Sequence, residues 1–364
     1  MRNLNARPAL STGLARDPTE DDPGRRVGLV FSGGGAPAAY FGAGVACAVE
    51  EAGLRPCVFS GVSAGALNAG ALSVGLDAAH LAELWTSIRW QDVYRPRLDV
   101  WRMPAVQNLL SRPAASLIER LLNAVGWSWF LDTKPARATL ANALGGQTLR
   151  IRDGAVLIVS AVDQGTAEVV RFTNSLPPAH RRGHEFQETE LTVDHLLASA
   201  AVPVLFAPGH IGGRRYVDAG LVANTPLKPA LAYELDAVIV VSASGLSRPA
   251  PPPASLGDAI GLLAENIAYF ALPPPPPPPP LAYFALLSDY RHAETVNTLV
   301  QVAPEKTEKK QVDLLLVEPS GLAFDPSAFL RFSPRDARRL IEHGRSMGRR
   351  RLGMWPAMET LTAT

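Results

Sequence analysis

One short motif, Gly61-Val62-Ser63-Ala64-Gly65, constrains the fold of this 364-residue chain more than any other stretch. An apolar run, residues 57–59, precedes it, and a helix-forming run, residues 64–73, follows it. A strand that turns this sharply into a helix strains its middle residue, and glycines two residues to either side leave room for the turn. The pattern predicts that Ser63 is a nucleophile exposed at the carboxyl end of a strand. An ordinary glycine-rich turn would carry the same motif.

A second strand-to-helix turn precedes the first and contains three consecutive glycines. The glycines are Gly33, Gly34 and Gly35. An apolar strand is predicted before them, at residues 27–31, and a helix after them, from about residue 37 to residue 52. Successive backbone N–H groups at such a turn can converge on one negative charge. A phosphate-binding loop is the alternative, but no Gly-Lys-Ser/Thr follows the glycines. Because a serine elbow lies on the next strand, the pattern favours an oxyanion hole.

A third motif is Asp218-Ala219-Gly220, which ends a short predicted strand. The small residues Ala219 and Gly220 would let the carboxylate of Asp218 approach another group closely. In the alternative interpretation, Asp218 only caps the turn that follows it.

In this order along the chain, the three motifs resemble those of the patatin-like phospholipase family. The segments around Asp218 are also similar to the family, at residues 198–206 and 224–227. The resemblance covers roughly residues 26–242 and the C-terminal helical stretch. The family usually has a basic residue and then a glycine where this chain has Pro37 and Ala38. That difference leaves the backbone donors of the glycine loop intact.

The resemblance implies an α/β fold of three layers, with a central mostly parallel sheet, helices on both faces and a helical cap region. The residues themselves agree with this fold, because the apolar runs at 155–162 and 237–242 predict strands buried on both faces. Helices predicted between the strands, such as residues 192–200 and 226–234, indicate an open α/β sheet.

The resemblance also implies a Ser–Asp dyad in which Asp218 acts as the base for Ser63. The Gly33–Gly35 loop would then hold the oxyanion, and Gly61 and Gly65 would frame the nucleophile. The implied substrates are the carboxylic esters of glycerolipids or phospholipids. No metal or other cofactor is implied, and the sequence has no Cys or His spacing typical of a metal site.

Two alternative functions follow from the sequence. A Ser-His-Asp esterase of the α/β-hydrolase type needs a histidine after the acid, which leaves His292 or His343. Neither histidine has a local pattern that favours this role. The other alternative is a catalytically silent protein that keeps the fold and binds lipid, and the presence of both Ser63 and Asp218 argues against it.

Composition divides the chain into regions around one acyl hydrolase domain. The predicted regions are a disordered leader at 1–25, the domain at 26–352, an aromatic-rich cap at 86–130, a proline-rich insert at 247–287 and a tail at 353–364. The insert includes eight consecutive prolines, residues 273–280, between two copies of Ala-Tyr-Phe-Ala-Leu. We interpret it as a duplication or insertion within one helix, with a polyproline II rod of about 25 Å. A docking site for a proline-binding partner is the alternative.

The charge pattern gives expectations about partners and location. The net charge is +1, which gives no bias toward nucleic acid. Residues 331–352, however, carry eight arginines and two acidic residues on a predicted helix, so an anionic membrane surface is a candidate partner. Cys47 and Cys57 suit small buried residues better than a disulfide. With no secretory segment and no long apolar window, we expect a cytoplasmic protein. The oligomeric state is not predicted.

Overall fold

The computed structural model describes residues 25–97, 129–243, 298–300, 311–319 and 328–362. The predicted leader, apart from Arg25, lies outside the described residues. So do most of the predicted cap (residues 98–128), the whole proline-rich insert (residues 247–287) and His292.

Thirteen strands are present in these ranges. They are β1 Val27–Phe31, β2 Val58–Val62, β3 Arg95–Pro96, β4 Trp129–Asp132, β5 Val156–Asp163, β6 Val169–Thr173, β7 Phe186–Glu188, β8 Val204–Phe206, β9 Gly209–Ile211, β10 Arg214–Asp218, β11 Ala237–Val241, β12 Thr298–Val300 and β13 Gln311–Val317. The long apolar runs of the sequence became buried strands, as expected for a sheet that is covered on both faces.

Eight helices are described. They are α1 Gly35–Glu51, α2 Ala64–Ser73, α3 Ala78–Ser87, α4 Lys134–Ala143, α5 Val193–Ser199, α6 Leu227–Leu231, α7 Pro334–Gly353 and α8 Met358–Leu361. Short 3₁₀ turns are formed by Trp90–Asp92, Ala179–Arg181 and Ala219–Leu221. The predicted helices at 37–52, 192–200 and 226–234 are therefore confirmed, with shifts of a few residues at their ends.

The central sheet has ten strands, in the order β12-β13-β11-β1-β2-β5-β10-β9, with β6 and β7 extending from β5. Five neighbouring strands, β13, β11, β1, β2 and β5, run parallel. Alternate residues of β1 face opposite layers. Leu29 and Phe31 pack in the large core with α1, α2, α3, α5 and α7. Val30 packs on the other face with residues of α6. The predicted α/β fold, a largely parallel sheet between helices, is confirmed.

The long strand β5 brings two strand ends together. Its residues 156–160 pair with parallel β2, and its residues 161–163 pair with antiparallel β10. Strand β6 pairs with residues 158–162 and so occupies the opposite edge of β5. Strand β10 therefore continues the edge along which β2 ends. Because the two strands run toward each other, the end of β2 meets the end of β10.

Helices α1 and α7 pack closely and run in the same direction. The backbone of Phe41 lies against Gly344, and that of Ile341 lies against Gly44, where no side chain would fit. Arg345 and Arg349 of α7 both bind Glu51 at the last turn of α1. The first turn of α7 consequently lies at the same end of the molecule as the glycine loop. The predicted apolar stripe of α7, Ala337, Leu340, Ile341 and Gly344, is buried.

Two peripheral regions differ from what the sequence predicts. The described edges of the predicted helical cap contain β3 and β4, which form a three-stranded sheet with β8. Strands of two to four residues are too short to show an alternating pattern, so the sequence did not indicate them. The predicted tail includes the buried Trp355 and the short helix α8, which pack on the large core.

Candidate active site

Ser63 lies between β2 and α2 in a strained backbone conformation. Its φ is 54° and its ψ is −130°, a region that non-glycine residues rarely adopt. Ser63 precedes the first residue of α2, but its side chain makes no capping hydrogen bond there. The turn therefore projects the hydroxyl without using it to stabilise the helix. Strand, sharp turn and helix follow one another here as the motif predicts.

Close backbone contacts leave no room for a side chain at either glycine of the motif. A Cβ on Gly61 would lie 2.5 Å from the carbonyl oxygen of Gly65. A Cβ on Gly65 would lie 2.5 Å from the carbonyl oxygens of both Phe31 and Ser32. The contact at Gly65 packs the start of α2 against the end of β1, next to the glycine loop.

Asp218 meets Ser63 because their strands end on the same edge of β5. Val62, the residue before Ser63, pairs with Ser160, and Asp218 pairs with the next residue, Ala161. The side chain of Ser63 lies close enough to the carboxyl group of Asp218 to lower its pKa by hydrogen bonding. Residues 155 positions apart in the sequence are thus adjacent at the junction of β2 and β10.

The carboxyl group of Asp218 is buried and held by backbone groups. It is 4% exposed, and its Oδ1 accepts a hydrogen bond of 2.7 Å from the N–H of Gly220. Its own N–H donates to the carbonyl oxygen of Ala201 at 3.0 Å. Burial raises the pKa of Asp218 to about 6, although the hydrogen bonds from Ser63 and Gly220 oppose the increase. Ala219, also buried, opens the 3₁₀ turn that places Gly220.

The glycine loop lies beside the nucleophile. A Cβ on Gly33 would be 3.2 Å from the Cβ of Ser63 and 2.6 Å from Oδ1 of Asn224. Gly34 and Gly35 have φ values of 138° and 63°, which favour glycine. Pro37 and Ala38, where the family usually has a basic residue and a glycine, are both buried in α1.

The three glycines do not offer equivalent donors. The N–H of Gly33 donates to the carbonyl oxygen of Asn224 at 3.1 Å, so this bond already uses it. Among the described residues, no acceptor contacts the N–H of Gly34, Gly35 or Ala64. Ala64 opens α2 directly after Ser63, where an N–H of a nucleophile elbow stabilises an oxyanion. The N–H groups of Gly34, Gly35 and Ala64 are therefore candidate donors to an anion beside Ser63.

An apolar cluster lies next to the loop. Phe329 accepts a hydrogen bond of 3.0 Å from the N–H of Ala36, and its ring contacts the Cα side of Gly35. It packs with an apolar set that includes residues of the small sheet and of the segment after α5: Tyr94, Leu131, Val202, Leu205, Phe206 and Leu330. The site thus has polar groups on the central sheet and apolar side chains at its border.

The described histidines have other contacts. His195 is buried, and its Nδ1 accepts from the N–H of Thr192 at 3.1 Å at the start of α5. Burial lowers the pKa of His195 to about 4. The ring of His343 packs against Phe41 of α1, with 5.9 Å between ring centroids. None of the histidines in the described ranges is hydrogen-bonded to Ser63 or Asp218.

Sequence reasoning missed two residues that hold the site. The hydroxyl of Ser199 accepts from the N–H of Ser63 at 2.9 Å, and Asn224 joins the glycine loop to the Asp218 turn. Both lie in the segments that resemble the patatin-like family, 198–206 and 224–227, which was the available signal. Within the described ranges, no group of three or more His, Cys, Asp or Glu side chains could hold a metal ion.

Comparisons with known proteins identify the family to which the chain belongs. The sequence model described as patatin-like phospholipase matches residues 29–231, more than half of the chain. Among solved structures, VipD from Legionella pneumophila shares 16% identity at a TM-score of 0.44, covering 92% of this chain and 67% of VipD.

A human GIVD cytosolic phospholipase A2 in complex with methyl gamma-linolenyl fluorophosphonate shares 14% identity at a TM-score of 0.42. The match covers 93% of this chain and 59% of the phospholipase, so the chain corresponds to about three fifths of that protein. No curated protein matches the sequence significantly.

Proposed function

Because the chain belongs to the patatin-like phospholipase family, we propose that it is a serine hydrolase that cleaves the carboxylic ester bonds of phospholipids or other glycerolipids. One observation carries the proposal: a serine in a strained elbow lies beside a buried aspartate, at the junction of β2 and β10, and the pKa of this aspartate is raised to about 6. A serine hydroxyl is a poor nucleophile unless an adjacent base takes its proton. In the proposed mechanism Asp218 is this base.

The acylation step begins with proton transfer from Ser63 to Asp218. As the proton leaves, Oγ attacks the ester carbonyl carbon, and the carbonyl π electrons move onto oxygen to give a tetrahedral oxyanion. Reformation of the carbonyl expels the alcohol or lysolipid, which takes the proton from Asp218. The product is an ester between the acyl group and Ser63.

In the deacylation step, water attacks the acyl-Ser63 carbonyl while Asp218 takes a proton from it. Collapse of the second tetrahedral oxyanion releases the fatty acid and returns the proton to Oγ of Ser63. In both steps the N–H groups of Gly34, Gly35 and Ala64 stabilise the oxyanion, each worth about 3 kcal/mol of barrier in comparable enzymes.

The burial of Asp218 suits it to this role. A general base works best when its pKa is near the operating pH. A pKa of about 6 leaves the carboxyl group ionised at neutral pH and raises its affinity for the serine proton above that of an exposed aspartate. The activity is therefore expected to rise with pH through about 6 and then to level off.

The apolar cluster around Phe329 supports an acyl chain as the substrate group. It lies beside Gly35, on the side of the site where Val202, Leu205 and Phe206 follow the Ser199 segment. Apolar side chains at this border would cover an acyl chain once its carbonyl is at Ser63.

A test of the function is hydrolysis of p-nitrophenyl acyl esters and of phosphatidylcholine in mixed micelles. Wild type should hydrolyse both, whereas Ser63→Ala and Asp218→Asn should lower kcat by about 10⁴-fold, the upper range for loss of a general base. His343→Ala is the control for the Ser-His-Asp alternative and should keep wild-type kcat. Wild-type inactivity on all esters would favour the silent lipid-binding alternative, and loss of activity in His343→Ala would favour the triad.

We also propose that the first turns of α7 contact anionic lipid. Arg335 and Arg338 are exposed there, at the end of the helix that lies near the glycine loop. Val222, just after the Asp218 turn, is 47% exposed. By contrast, Arg345 and Arg349 bind Glu51 at the far end of α1. Each arginine near an anionic surface adds roughly 1 kcal/mol of attraction.

Vesicle sedimentation tests this orientation. Arg335→Gln/Arg338→Gln should weaken binding to phosphatidylserine-containing vesicles by about 30-fold at low salt. The matched double variant Arg349→Gln/Arg350→Gln removes the same charge at the other end of α7 and should bind nearly as wild type. Both variants should hydrolyse a dispersed short-chain ester normally. Equal weakening by the two variants would mean that the whole basic helix, and no particular end, attracts the lipid.

No helix in the described part of the chain combines the length and the apolar character needed to cross a membrane.

A further inference from the structure

The strained conformation of Ser63 needs something to hold it. A residue in a sparsely populated backbone region persists only where its surroundings fix it. The side chain of Ser63 makes no capping bond to α2, and the pairing of β2 with β5 ends one residue earlier, at Val62 and Ser160. Its backbone N–H therefore points into the interior beyond the last pair of the parallel ladder.

The hydroxyl of Ser199 fills that position. Its Oγ accepts from the N–H of Ser63 at 2.9 Å and donates to the carbonyl oxygen of Ser160 at 2.7 Å. The directions are unambiguous, because a backbone N–H can only donate and a carbonyl oxygen can only accept. Ser199 and Ser160 are 0% exposed and Ser63 is 5% exposed, so water has little access to replace the hydroxyl. One side chain thus extends the β2–β5 ladder by a further link.

The same short segment also holds Asp218. Ser199 is the last residue of α5, and two residues later the carbonyl oxygen of Ala201 accepts from the N–H of Asp218 at 3.0 Å. The segment 199–201 consequently contacts the backbone on both sides of the junction between β2 and β10. Any shift of Ser199 relative to Ser63 would change the distance between the two reacting groups.

We propose that Ser199 is a positioning residue: its hydroxyl holds the backbone of Ser63 in the elbow conformation that directs Oγ toward Asp218. This inference rests on the proposed function. Ser199 does not touch the substrate, so its loss should slow the chemical step and leave substrate binding largely unchanged. Asp218 keeps its own contacts with Gly220 and Ala201. Because the Ser63 side chain opposes the increase in the pKa of Asp218, a displaced Oγ should move the pH at which activity rises upward.

The test compares Ser199→Ala with Ser73→Ala on the full chain. Ser73 is an equally buried serine at the other end of α2, and its hydroxyl donates to the carbonyl oxygen of Gly70 at 2.8 Å. Steady-state hydrolysis of a p-nitrophenyl ester is measured across pH, on protein whose folded fraction is known from circular dichroism. We expect Ser199→Ala to lower kcat by about 100-fold with KM within about twofold, as for a small misplacement of reacting groups. Ser73→Ala should keep wild-type kcat.

Ser199→Thr keeps the hydroxyl and should recover most of the lost kcat. If Ser199→Ala does not fold, Ser199→Cys carries the test, because a thiol is a weak hydrogen-bonding group of nearly the same shape; its kcat should lie below that of Ser73→Cys. Wild-type kcat per folded molecule in Ser199→Ala or Ser199→Cys overturns the positioning role while the proposed function stands. A wild-type enzyme without Ser63-dependent hydrolysis overturns the proposed function, and this inference with it.

Discussion

The two strand-to-helix turns of the site, β1–α1 and β2–α2, lie side by side but use positive backbone angles for opposite purposes. In the first turn the residues with positive φ are glycines, Gly34 and Gly35, whose backbone N–H groups are the proposed oxyanion donors. In the second turn the residue with positive φ is Ser63, and a side chain faces the site. The glycines reach these angles without strain. The serine does not, so its turn depends on outside support.

The supports of the two turns differ accordingly. The glycine loop is fastened by backbone acceptors, the carbonyl oxygens of Asn224 and Phe329, on each side of Gly34 and Gly35. The elbow is fastened by one side chain, Ser199, and by the close backbone contacts of Gly61 and Gly65. Two of the proposed oxyanion donors, Gly34 and Gly35, thus lie in the glycine turn, whereas the third, Ala64, lies in the same turn as Ser63.

Gly65→Ala should have the largest effect on stability. Its Cβ would lie 2.5 Å from two carbonyl oxygens of the β1 end, and backbone atoms in a packed sheet cannot move aside cheaply. We expect the free energy of unfolding to fall by more than about 3 kcal/mol, measured by urea denaturation.

The matched control for Gly65→Ala is Gly70→Ala in the same helix. There the added methyl group meets the side chain of Leu196 at 3.0 Å, which can adjust, and alanine favours the helix. A similar loss of stability in both variants would show that α2 tolerates no added methyl group anywhere, and that the elbow contact is not special.

Gly34→Ala should separate the role of the donors from that of the fold. Its φ of 138° strains an alanine, and any turn of the peptide would misdirect the N–H groups that we propose as oxyanion donors. The expected result is a loss of about 10²-fold in kcat, the magnitude seen when one oxyanion donor is removed.

Gly53→Ala controls for the strain alone. Gly53 lies at the other end of α1, with φ of 79° and open space around its Cα. Both variants should lose about 1–2 kcal/mol of stability, and only Gly34→Ala should lose activity. Wild-type kcat in Gly34→Ala would remove the glycine loop from the oxyanion hole.

The smallest of these expected effects is that of Asp218→Asn on the pH dependence of the free energy of unfolding. The folded protein has a raised pKa at Asp218, about 6 against an ordinary value of 3.8. It therefore binds the proton more tightly than the unfolded chain does, and its stability falls as pH rises between those values. Relative to wild type, Asp218→Asn should be more stable at pH 8 than at pH 4 by about 1–2 kcal/mol. Asp153→Asn, the same change at an exposed aspartate, is the matched control.

Much of this molecule could be predicted from the sequence because the informative patterns are local. The Gly-x-Ser-x-Gly turn, the three glycines and the apolar runs at 155–162 and 237–242 each identify their own structure within a few residues. The three motifs occur in the same order as in the patatin-like family, and this resemblance implies that Ser63 and Asp218 lie together. The structure adds the physical reason, the shared edge of β5 along which β2 and β10 meet.

What the sequence could not provide are contacts between distant residues. Nothing near Gly33 indicates that its N–H donates to Asn224, and nothing near Ser63 indicates the hydroxyl of Ser199. The small sheet of β3, β4 and β8 was missed because short strands depend on their partners more than on their own residues. The close pairing of α1 with α7 through Gly44 and Gly344 likewise depends on residues about 300 positions apart.

The central claim, that Ser63 is the nucleophile and Asp218 its base, is tested most directly by covalent labelling. Wild type and Asp218→Asn are treated with an alkyl fluorophosphonate between pH 5 and pH 8, and the adduct is located by peptide mass spectrometry. One adduct is expected, on Ser63. It should form faster as pH rises through about 6, and far more slowly in Asp218→Asn than in wild type. An adduct on another residue, or equal labelling of Ser63 in the two proteins, would contradict the claim.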